Sequence, residues 1–182
     1  TEITGFTFGT GKGVYVAPDG AVFPVAQRQL GSCLSNCTVS TSYSFQSVTV
    51  VDVMAVCGES SSSVYAVTED SSYNAGLWKW SGTGWASIVN NLGLQTPRAC
   101  VVLADGTVAV AGERSVAFHS NGVTTSEVAA TVPPLTVPES NTHQWYGLGL
   151  VGSKLYAAGL SRRISARTSP DVWTMTTFTG AT

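Results

Sequence analysis

The residues best suited to gripping a partner are arginines and aromatics. Arg162 and Arg163 stand in tandem, with Arg167 close behind, and form the one cationic cluster in the sequence. A guanidinium holds a carboxylate through paired N–H donors, so this is the first place to look for a partner's acidic group, although a solvated hairpin would use the same residues. Trp78 and Trp80 lie two apart and therefore project from one face of a strand, while Trp145 and Tyr146 follow a proline-rich stretch. Such rings stack on sugar faces or fill a protein interface, and they equally serve packing between sheets. Arg162, Arg163, Arg167, Trp78, Trp80, Trp145 and Tyr146 are thus the candidate binding residues.

Catalytic chemistry leaves no comparable pattern. There is no G-x-S-x-G elbow, and neither His119 nor His143 carries a diagnostic flank. His119 reads as a strand residue beside the Ser120-Asn121-Gly122 turn. His143 closes a connection from Pro133 whose Pro134 and Pro138 make it an extended loop. Glu59, Asp105 and Glu113 supply carboxylates and Arg98 and Arg114 further cations, but scattered positions on unlike strands certify no mutual geometry. The chain is therefore expected not to be an enzyme and to hold no cofactor. No metal is expected either, because neither histidine lies at a ligand spacing from a cysteine.

These residues must be held by β-structure. No stretch of a dozen residues repeats apolar positions at helical spacing, whereas short Val-, Tyr-, Thr-, Trp- and Phe-rich runs recur throughout. Asp19-Gly20, Ser81-Gly82, Asp105-Gly106, Asn121-Gly122 and Ser169-Pro170 punctuate the runs, which predicts antiparallel hairpins in a meander. Four runs align on their third residues: Gly13 to Ala17, Ser63 to Val67, Thr107 to Ala111 and Lys154 to Ala158. Their spacings are 65 − 15 = 50, 109 − 65 = 44 and 156 − 109 = 47. That period matches four-stranded propeller blades.

Each aligned run is expected to be a second strand. First strands are expected over Ile3 to Phe8, Val48 to Cys57, Ala99 to Leu103 and Tyr146 to Val151. Gln27 to Tyr43 reads as a polar insertion in the first repeat. The expectation is one all-β domain over 1–182, a propeller-like array of four four-stranded antiparallel repeats at approximately 1–47, 48–95, 96–142 and 143–182. A two-sheet β-sandwich without a true repeat is the alternative.

Composition sets the compartment and excludes some partners. With 43% hydrophobic and 11% charged residues the chain should pack a core. Nine Lys and Arg against 11 Asp and Glu leave no basic field for nucleic acid, and no apolar run is long enough to span a membrane. Thr1 is not an initiator Met, which fits a processed chain or an excised fragment, and processing is expected. The four cysteines admit three pairings and none forms a C-x-x-C pair, so disulfides and secretion are expected. Cys33 and Cys37 would pin the insertion. Cys57 and Cys100 fall on first strands of neighbouring repeats and would form the other pair, closing a longer loop for roughly 3–5 kcal/mol.

Two turns carry a family resemblance. Arg167-Thr168-Ser169-Pro170-Asp171-Val172-Trp173-Thr174 resembles the Asp-box turn of sialidase-type propellers, roughly S-x-D-x-G-x-T-W, with the Gly and one spacer missing here. Leu77-Trp78-Lys79-Trp80-Ser81-Gly82-Thr83-Gly84-Trp85 is similar to the hairpin of kelch-like and other secreted propellers, where an aromatic follows a Gly-containing turn. The resemblance covers most of the chain in period and two of four turns in detail. It implies a propeller scaffold and gives Asp171 and Trp173 the part of bracing a hairpin. A sialidase site would need an arginine cluster, a Tyr nucleophile with a Glu partner and an acid, and the spacing of these types here specifies none.

The resulting expectation is a non-enzymatic extracellular binding or assembly module, the alternative being part of a carbohydrate-active, sialidase-like propeller. A protein partner or self-association is expected, with carbohydrate as a possible ligand. Phe6 and Phe8 near one end and Trp173 and Phe178 near the other would need covering.

Overall fold

The computed structural model describes residues 11–38, 42–113, 115–128, 145–159 and 163–177. Among them are sixteen strands in four separate four-stranded antiparallel sheets and no α-helix. Every sheet is a meander in chain order, as short alternating runs joined by Gly-containing turns dictate. The two-sheet sandwich is thereby set aside. The strands fall into two compact units, Thr1–Leu92 and Gly93–Thr182.

Unit 1 contains β1 (Gly11–Val16), β2 (Val22–Ala26), β3 (Gln29–Ser32) and β4 (Ser44–Ser47) in one sheet, and β5 (Asp52–Ser60), β6 (Ser63–Glu69), β7 (Ala75–Trp80) and β8 (Trp85–Val89) in the other. The sheets meet through β1 and β2 against β5. Strand β6 is buried from Val64 to Glu69, so its unbroken apolar run is covered on both faces. Between the sheets, Phe23, Trp80 and Trp85 pack edge to face at 5.7 to 6.1 Å, with Leu30, Val53 and Val64 around them.

Unit 2 contains β9 (Ala99–Val102), β10 (Val108–Ala111), β11 (Ser115–Ser120) and β12 (Val123–Val128), then β13 (Trp145–Val151), β14 (Lys154–Gly159), β15 (Arg163–Ser169) and β16 (Val172–Thr177). Here β13 packs on β9 and β10. Ala109, Ala111, Val116, Phe118, Trp145 and Trp173 belong to its core.

The aligned runs fall on second strands at β6, β10 and β14, whereas Gly13 to Val16 of the remaining run lies in β1, which pairs with β2 alone among the described strands. Its composition copies the other runs, yet Val14 and Val16 are exposed where those strands are buried. The presumed insertion is also partly sheet, since β3 lies within it and buries Leu30, Gly31 and Ser32. Ile3 to Phe8, Arg114, the Pro133 to His143 connection, Arg162 and Phe178 lie outside the described residues.

Candidate functional site

The long β3–β4 connection begins where the sheet ends. Cys33 pairs backbone to backbone with Val22 at 2.8 Å in both directions, so it remains anchored to sheet structure. Its disulfide to Cys37, with Cα atoms 5.7 Å apart, turns the chain back within four residues. Asn36 inside that ring takes a left-handed φ of 55°, which Asn tolerates better than most residues. Tyr43 Oη donates to the Cys37 carbonyl at 2.8 Å, and the Tyr43 ring stacks on Phe45 at 6.4 Å and 17°. Burial raises the Tyr43 pKa and keeps that hydroxyl a donor. Cys57 and Cys100 are each disulfide-bonded as well, and no cysteine is free.

Opposite this loop stands the β7–β8 turn. Ser81 N donates to the Gly84 carbonyl at 2.9 Å, and Gly82 supplies the φ of 95° that the turn needs. Gln46 on β4 ties the two sheets together: its Nε2 donates to the Trp85 carbonyl at 2.8 Å and its Oε1 accepts from the Trp85 N–H at 2.9 Å. One side-chain amide thus mimics a strand residue and fixes the distance between β4 and β8.

Between these elements opens a cleft of about 670 Å³. The disulfide ring contributes Leu34, Ser35 and Asn36 to one wall, and β4 contributes Ser44, Phe45 and Gln46. The turn contributes Gly82, Thr83 and Gly84, over a floor of Trp80 and Trp85. No ionisable side chain lines it among the described residues. Phe45 is 37% exposed, whereas Trp80 and Trp85 are each 5% exposed. The Nε1–H of both indoles is buried without a protein acceptor. The arrangement offers a flat aromatic, several groups that both donate and accept, and no charge.

The residues singled out from sequence are dispersed. Trp80 lies in the unit 1 core and reaches the cleft floor, and Trp78 packs against the same core. Trp145 is 3% exposed in the unit 2 core, so it is no exposed platform. Tyr146 beside it is exposed, with the Arg98 guanidinium 6.0 Å from its ring. Arg163 opens β15 and Arg167 lies four residues further along the same strand, about 13 Å away by backbone rise. Arg167 is already engaged: Glu127 takes its guanidinium through two hydrogen bonds, one at 2.8 Å from Nε, and Phe118 lies under it at 4.5 Å. Trp173 Nε1 donates to the same carboxylate at 2.9 Å, so this indole braces β16 to β12 rather than its own hairpin. His119 is buried, shares a 2.9 Å hydrogen bond with Thr124, and has its pKa lowered by burial.

Sequence reasoning missed the cleft. Ser35 and Asn36 come from a stretch read as an insertion, Ser44 and Gln46 from the strand after it, and only the Gly-rich turn between two tryptophans marked the opposite wall.

No protein-family model matches the sequence, and no curated protein matches it. Solved β-propeller structures share its fold. A virginiamycin B lyase from Staphylococcus aureus, in a catalytically inactive form with quinupristin, matches with a TM-score of 0.70 at 10% identity over 94% of this chain. A chain of the nidogen/laminin complex matches with a TM-score of 0.63 at 13% identity over 92%. The SapL1 lectin, in complex with alpha methyl fucoside, matches with a TM-score of 0.52 at 13% identity over 92%. This chain spans 56%, 65% and 62% of those chains respectively. At such identity the likeness is one of fold.

The expectation that the chain is not an enzyme is overturned by these matches, since the fold neighbours include a chain named as a lyase. The physical reason is that a site assembled across several sheets leaves no local motif, so a missing motif excludes nothing.

Proposed function

We propose that the chain is an extracellular binding module that takes its ligand in the cleft of unit 1. The observation that carries this reading is the cleft itself: its volume falls within the ~300–1,000 Å³ of small-molecule sites, and three independent devices hold its walls. These are the Cys33–Cys37 ring, the Gln46 amide clamp and the Ser81–Gly84 turn. Walls fixed before a ligand arrives lower the ordering cost of binding. Four disulfide-bonded cysteines support an oxidising compartment. The lectin and the nidogen/laminin complex support a binding or assembly role, because each is a fold neighbour recorded with a ligand or partner.

Amide chemical-shift mapping tests the proposal, using a mixed panel of sugars, peptides, nucleosides and fatty acids. Perturbations centred on Asn36, Phe45 and Thr83 are expected with at least one class. Perturbations confined to other surfaces, or none with any class, overturn it.

A further inference from the structure

Resting on that reading, we infer that the ligand of the cleft is a neutral carbohydrate, with an apolar pyranose face on Phe45 and its hydroxyls on the surrounding side chains. Three features of the lining converge on this chemistry. The first is charge. With no Lys, Arg, His, Asp or Glu on the walls among the described residues, a charged ligand would lose hydration without gaining a counter-charge. The second is the type of polar group. Ser35, Ser44 and Thr83 hydroxyls and the Asn36 amide each donate and accept, as a sugar hydroxyl does, so either orientation of each hydrogen bond can be satisfied. A wholly apolar ligand would strand these groups unpaired.

The third is the aromatic. Phe45 keeps about a third of its surface open, and the Tyr43 ring lies against it near parallel, at 17° with centroids 6.4 Å apart. The ring is therefore held as a platform rather than folded into the core. A sugar presents both C–H faces and hydroxyl edges, and this cleft pairs one aromatic face with a surround of hydroxyls. The Leu34-Ser35-Asn36 segment approaches from the disulfide loop and Thr83 from the turn, so a ring seated on Phe45 meets polar groups from two sides.

The test is binding to immobilised neutral oligosaccharides, with sialylated and sulfated oligosaccharides on the same surface. Neutral oligosaccharides are expected to bind, with Phe45→Ala lowering affinity about tenfold or more through loss of the stacking face. Circular dichroism checks that this variant is folded. Should it not fold, Thr83→Val with Ser44→Ala removes two exposed hydroxyls and is expected to lower affinity about fivefold or more. Binding of acidic oligosaccharides alone overturns the inference while leaving the cleft as a binding site. Neutral binding untouched by every variant also overturns it, by placing the sugar elsewhere. If no oligosaccharide binds, the ligand class is overturned, and the amide mapping decides whether the cleft reading falls with it.

Discussion

At Glu127 a carboxylate on β12 meets the Arg167 guanidinium, the Trp173 indole N–H and the backbone N–H of Asp171. Burial by itself would raise its pKa, but the hydrogen bonds from Arg167, Asp171 and Trp173, with the Arg167 charge, outweigh burial and hold it below the ordinary glutamate value. A carboxylate with a depressed folded-state pKa contributes stability that is fully present above its unfolded value. That contribution is lost as pH falls through the folded one. Glu127→Gln is expected to cost about 2–4 kcal/mol, because it leaves a partly buried guanidinium without its counter-charge. Chemical denaturation between pH 3 and 7 checks both points: the gap between wild type and variant should be widest at neutral pH and close on acidification. A gap that stays constant with pH would mean that Glu127 acts by packing alone. The arginine that looked free for a partner is thus spent within unit 2, and Glu127 drew no notice because nothing nearby in sequence is its partner.

At the scale of elements, the cleft depends on how closely β3 and β4 approach. Gly31 stands opposite Phe45 in that pair, and a Cβ there would lie 2.7 Å from the Phe45 ring and 2.8 Å from Pro24 Cγ. Gly31→Ala is therefore expected to cost about 1–3 kcal/mol by overpacking. It should also shift the Phe45 amide resonance, even where the protein stays folded. The Cys33–Cys37 ring acts on the other wall. Replacing both cysteines by Ser is expected to lower stability by about 2 kcal/mol on chain-entropy grounds for so short a loop. The larger effect should be on ligand affinity, since the three residues inside the ring all line the cleft. Isothermal titration alongside thermal unfolding separates the two effects. Equal loss of both would show the ring to be structural only.

For the whole molecule, self-association or docking on a larger assembly remains the proposal. Strand β1 is an edge strand among those described and presents Val14 and Val16, 60% and 59% exposed, on one face. Exposed apolar edges of this kind are what isolated proteins avoid and interfaces use. Light scattering over a dilution series is expected to give a mass above that of one chain that declines on dilution. A constant single-chain mass would overturn the proposal, and Val14→Lys with Val16→Lys should produce such a mass if this edge is the contact.

The β class, the hairpin turns and most strands were legible in the sequence because they depend on local chemistry. Examples are alternation within runs, glycine at positive φ, and buried apolar stretches such as Val64 to Val67. The Cys33–Cys37 disulfide was legible for the same reason, as short spacing leaves few partners. What only the tertiary structure decided is which face each side chain meets. Trp80 and Trp145 could equally be ligand platforms or packing between sheets, and the structure places both in cores; Val14 and Val16 share the apolar pattern of buried runs and are exposed. The cleft is the clearest case. Gln46 finds Trp85 at a separation of 39 residues, and hydroxyls that are unremarkable one by one line a common cleft only when two sheets bring them to the same opening.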